Sequence, residues 1–199
     1  MNILYQLSIL AVCYVLLFLL CFWVWNMKSA SLTSLKVQTG SWILLHIRHA
    51  GGMIIMILIP IIFLPSIPES LLAWPQNIDS IRVLALMVTG LVILFLSAKE
   101  AGKITDKKTR VDRWSSFHAV LYMLLRNSFL VSYEWFFRGV VLFSCISVFG
   151  LIPAIIINVA LYAFIHSFNG RKEFLGSIPF GITLCVFRVW WHSVLPAVT

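Results

Sequence analysis

The run GVVLFSCISVFGLIPAIIINVALYAFI, residues 139–165, decides the fold. It holds 27 residues and not one charge. A membrane-crossing helix needs about 20 apolar residues, so the run is too long for one straight span. Gly150 and Pro153 mark where it breaks. In hydrocarbon every backbone amide must be paired within the protein, which leaves only helices or a closed barrel. The run lacks the apolar–polar alternation of a barrel strand, so helices remain.

The same character holds for the whole chain. It is 61% apolar and only 11% charged, against about 25% charged in an ordinary soluble domain. The expected fold is an all-α, polytopic transmembrane bundle of about six to eight helices, given about 20 residues per span and short loops. Spans are expected at 4–25, 42–64, 82–98, 151–168 and 174–191, with a helix from Trp114 to about Ser132 and an apolar continuation to Phe149. The run to Trp25 is too long for a signal-peptide core and reads as a retained anchor. The net charge of +8 falls largely in short loops, as in the positive-inside bias and in attraction to anionic headgroups. No nucleic-acid-binding pattern accompanies it. Loops 26–40, with Lys28 and Lys36, and 99–113 are expected in the cytoplasm. The acidic loop 65–80, with Glu69 and Asp79, and the N-terminus are then expected outside. The segment 99–113 carries six basic and three acidic residues and reads as a solvated loop. It divides the chain into N-terminal membrane helices, 1–113, and a core, 114–199. Cys13, Cys21, Cys145 and Cys185 all lie in apolar runs and read as small buried hydrophobes.

Upstream of residue 139 two charges interrupt the apolar pattern, in YEWFFRG, residues 133–139. Glu134 and Arg138 are four apart and share one helix face. Each alone costs about 2.5–3.5 kcal/mol at the bilayer centre, so the pair is expected to face the bundle interior. It fits either a structural pin or a polarised site. His166 ends the following span, in LYAFIHSFNG. A carboxylate, a guanidinium and an imidazole on adjacent helices can hold a water, move a proton and stabilise an oxyanion, the parts that hydrolysis requires. His46 and His49, in HIRH, share a face at i, i+3; an interfacial polar turn explains them more simply than a metal. His118 and His192 carry little signal. No cofactor is named by the sequence.

These residues resemble the CPBP family of intramembrane proteases, which includes CAAX-processing Rce1-type enzymes and bacterial relatives linked to bacteriocin processing or immunity. The resemblance covers about residues 117–199. The family pattern Glu-Glu-x-x-x-Arg, often followed by Gly, is met by Glu134, Arg138 and Gly139, with Tyr133 at the first position. The pattern Phe-x-x-x-His is met by His166, with Tyr162 in place of Phe. SVLPAVT, residues 193–199, is similar to the lead-in to a third motif, His-x-x-x-Asn/Asp, and the sequence ends before it. His192 is a poor substitute, since Pro196 lies four residues on.

The resemblance implies a glutamate-dependent endopeptidase in which Glu134, Arg138 and His166 are catalytic. Its substrates would be membrane-anchored proteins or peptides, with the lipid bilayer as its other partner and no nucleic acid. The location implied is multi-pass, in a bacterial inner (plasma) membrane. In the family the first Glu is the expected base. A phenol, titrating near 10, stays protonated at neutral pH, so Glu134 must take that role here. A rewired site, an incomplete chain and a silent immunity or scaffold protein each fit the two departures. A small transporter using Glu134, Arg138 and Arg126 is a further alternative, though no inverted repeat supports it.

Overall fold

A computed structural model describes residues 3–27, 41–64, 80–105 and 116–191. The described residues form helices only. They are α1 (Ile3–Asn26), α2 (Ser41–Met53), α3 (Ile59–Phe63), α4 (Ser80–Thr105), α5 (Ser116–Glu134), α6 (Leu142–Phe149), α7 (Leu151–His166) and α8 (Arg171–Trp191). Two π-helical segments, Ile54–Leu58 and Trp135–Val141, join α2 to α3 and α5 to α6 without a break. Among the described residues five helices are long and apolar enough to cross a membrane: Ile3–Asn26, His46–Phe63, Val120–Phe149, Leu151–Asn169 and Arg171–Trp190. The chain is an integral membrane bundle. The span expected at 82–98 is helical, but its apolar stretch is only Val83–Val92.

Lipid explains much of the local chemistry. Hydroxyls on the spans return to their own helix. Ser8 donates to the Leu4 carbonyl at 2.8 Å, Ser132 to Ser128 at 2.7 Å and Thr183 to Pro179 at 2.9 Å. Each satisfies a donor that hydrocarbon cannot. The first π segment ends just before Pro60. Proline has no N–H and its ring crowds the carbonyl four residues back, so the helix widens ahead of it. The break at residue 150 is as expected: Gly150 adopts φ 80°, open to glycine but strained for other residues, and α7 begins at the next residue.

Two differences from the sequence reading have simple causes. Residues 99–105 continue α4 rather than opening a loop, because Lys, Glu and Ala are strong helix formers. The last span, expected from 174, begins at Arg171: a 3₁₀ turn, Ser167–Asn169, and Gly170 at φ 117° lead straight into α8. The loops bearing Lys28, Lys36, Glu69 and Asp79, the basic stretch beyond Thr105, His192 and SVLPAVT lie outside the described residues.

The α5–α6 helix is the axis of the bundle. Every residue from Ser132 to Leu142 is buried. Around it pack α1, α2, α7 and α8. α1 is tied by Gln6, which donates to Ser144 Oγ at 2.6 Å, and by Tyr14, which donates to the Leu161 carbonyl at 3.2 Å. α2 approaches α5 through Gly52, where a Cβ would lie 2.6 Å from the Phe129 ring. The N-terminal helices are thus part of the wall around residues 132–142.

Candidate active site

The π-helical segment begins immediately after Glu134 and contains Arg138. Such widened turns are rare and recur at functional sites. Here the segment keeps Glu134 and Arg138 on the buried side together. Arg138 Nε lies 3.7 Å from Glu134 Oε2, an ion pair too long for a direct hydrogen bond. Arg138 is completely buried, so the rest of its charge must be met by neighbours. Its Nη1 donates to Asn158 Oδ1 at 2.7 Å, and Asn158 Nδ2 donates to the Phe137 carbonyl at 2.6 Å. One α7 amide thus meets both the Arg138 guanidinium and the backbone carbonyl of the residue before it. The guanidinium also stacks 4.1 Å over the Tyr162 ring, a cation–π contact that gains from the absence of water.

A second buried arginine stands beside the first. Arg188 of α8 donates from Nε to the Arg138 carbonyl at 3.3 Å and lies 4.4 Å over the Phe143 ring. Several buried polar atoms have no protein partner: Tyr133 OH, Glu134 Oε2, Arg138 Nη2 and both terminal nitrogens of Arg188. Polar atoms left so in a buried site call for water or a ligand.

His166 lies at the other end of this cluster. Its ring is 4.7 Å from Tyr162 and 6.1 Å from Tyr133, the latter edge-on at 83°. Its Nδ1 faces Glu173 Oε2 at 3.9 Å. Glu134 and Arg138 are therefore paired directly, while His166 meets the group through the two tyrosines; no hydrogen bond or ion pair joins it to Glu134. Tyr162, which stands where the family pattern has Phe, lies between imidazole and guanidinium, and Tyr133, which stands where it has Glu, packs against both Tyr162 and His166.

His46 and His49 pack against Tyr122, and His49 also against Phe129, at ring separations of 4.9–6.3 Å. Their neighbour Arg48 reaches the site region, donating from Nη1 to Asn169 Oδ1 at 3.1 Å. Among the described residues no three ligating side chains converge as a metal site would need. Arg126 is exposed and donates to Tyr122 OH within its own helix, away from the buried pair.

The sequence reading missed Asn158, Arg188 and Glu173. Asn158 and Arg188 had a usable signal, since each is a strongly polar residue inside an otherwise apolar helix.

Residues 114–199 match the family described as type II CAAX prenyl endopeptidase, Rce1-like. The match bears out the resemblance drawn from YEWFFRG and YAFIH, and it spans the central helix, α7 and α8. The matched family is the CPBP type that the resemblance named. No curated protein and no solved structure matches the chain.

Proposed function

We propose that the chain is an intramembrane endopeptidase of the glutamate-dependent CPBP type. It would cleave C-terminal or membrane-embedded segments of other membrane proteins, from a bacterial plasma membrane. Glu134 is the base: it takes a proton from water as the water oxygen attacks the scissile carbonyl. Arg138 keeps the carboxylate ionised and oriented. His166 polarises the carbonyl and stabilises the oxyanion, and the proton held on Glu134 then passes to the leaving amine. Tyr133 contributes a hydroxyl hydrogen bond. The supporting observation is that Glu134 Oε2, buried and ion-paired with Arg138 at 3.7 Å, has no hydrogen-bond partner, and neither do the Tyr133 hydroxyl and Arg138 Nη2 about one turn along the same helix. An acceptor and donors lacking protein partners suit a water and a peptide carbonyl.

The test is cleavage of a membrane-anchored peptide reporter by the full chain in proteoliposomes. Glu134→Gln keeps the shape and removes the base, so it should lower kcat by about 10²–10⁴-fold. Cleavage undiminished in that variant would sink the assignment.

One observation favours a second reading, a silent immunity or scaffold protein. The phenol of Tyr133, not a carboxylate, presents its ring to His166. On this reading the wild-type chain binds the reporter without cutting it, and Tyr133→Glu does not create activity.

A further inference from the structure

We propose that Arg48, Asn169 and Glu173 form a positioning relay for His166, holding its Nδ1 proton so that Nε2 stays bare. The role of His166 in cleavage rests on the function proposed above; the relay itself does not. Glu173, in the first turn of α8, is the one acidic side chain paired with His166 among the described residues, at 3.9 Å from Nδ1. At that distance a small side-chain movement or one bridging water completes the hydrogen bond. A carboxylate is acceptor-only when ionised, so the imidazole nitrogen facing it must carry the proton. The other ring nitrogen is then an acceptor, or a donor once the ring is protonated.

Other groups fix the ring and the carboxylate. Tyr162 and Tyr133 confine the imidazole, at 48° and 83° to its plane. Glu173 sits three residues past Gly170, whose φ of 117° turns the chain from the 3₁₀ segment into α8. Asn169 in that turn accepts from Arg48, which is itself buried. Asn169 and Arg48 are also polar neighbours of Glu173. The groups facing the imidazole and its carboxylate are thus Tyr133, Tyr162, Asn169 and Arg48. Arg48 comes from α2, outside the residues that match the family. The relay gives the HIRH stretch a purpose: its arginine, reaching across from the N-terminal helices, steadies the turn that presents Glu173.

The experiment uses the full chain, labelled with ¹⁵N-histidine, in lipid nanodiscs. His166→Asn assigns the His166 signals. At a pH where the ring is neutral, the wild-type spectrum should show the Nδ1–H tautomer, the reverse of what imidazoles favour in water. Glu173→Ala should shift the population to Nε2–H. Glu173→Gln, whose amide oxygen still accepts, should retain Nδ1–H. Arg48→Met should move the signals part-way and Arg48→Lys should restore them. Nε2–H in the wild type, or Glu173→Ala spectra identical to wild type, would overturn the relay. The wild-type tautomer decides the matter even if a variant fails to fold. In the cleavage assay Glu173→Ala should lower kcat about 10-fold at similar KM, the loss of one modest orienting hydrogen bond in the transition state. A chain that shows Nδ1–H but never cleaves would sink the proposed function and leave the relay standing.

Discussion

Arg138 and His166 both contact the Tyr162 ring, yet their surroundings differ sharply. Arg138 is 0% exposed, as is its partner Asn158. The His166 side chain is 27% exposed and Glu173 is 42% exposed. Along α7 the two levels, Asn158 and His166, are eight residues apart, about 12 Å of helix. At the deep level each polar contact replaces hydration lost on burial, so losing one strands its partner. At the shallow level water can replace any lost partner. The deep group is therefore expected to govern stability, and the shallow group to govern orientation.

The largest test of that contrast is Arg138→Met. It leaves Glu134 buried and unpaired and should cost about 3–5 kcal/mol, read as loss of folded protein in denaturant titration from mild detergent. A cost below 1 kcal/mol would mean that the deep pair is already hydrated. Asn158→Leu comes next. It removes an acceptor from Arg138 and a donor from the Phe137 carbonyl, and about 2 kcal/mol is expected in the same titration. Tyr133→Phe sharpens the comparison by its sign. The buried hydroxyl lacks a protein partner, so its removal should be neutral or stabilising by about 1 kcal/mol; clear destabilisation would reveal a water that it holds. Glu173→Ala should have the smallest effect, under about 1 kcal/mol, because half-exposed ion pairs contribute little. A larger loss would show that the shallow level is as dry as the deep one.

The fold was legible because lipid is an unforgiving solvent. The uncharged run 139–165 admitted only helices, and Gly150 was the one residue in its middle free to reverse the chain. The site was legible in part. Glu134 and Arg138 announced themselves by cost, and i, i+4 spacing placed them together. The link to His166 was not legible, because it runs through ring contacts of Tyr133 and Tyr162 between two helices, and no spacing rule encodes that. Asn158 was readable but overlooked: an amide alone in LIPAIIINVALYAFI needs a partner. Arg48 was masked by its histidine neighbours, which drew attention to ligation. The π-helical segments leave no periodic trace, since Trp135–Val141 looks in sequence like any apolar helix.

The widened stretch Trp135–Val141 fits about one residue more into its turn than an ordinary helix does. Deleting one residue there would let the coil tighten to ordinary pitch, at no loss of apolar character. An ordinary helix turns by about 100° per residue, so the tighter winding nearly offsets the missing residue. Leu142, Ser144 and Cys145 would keep their buried faces. Substitutions in this segment test individual contacts; a one-residue shortening between Glu134 and Arg138 tests whether the widened turn itself is needed to set those two side chains together.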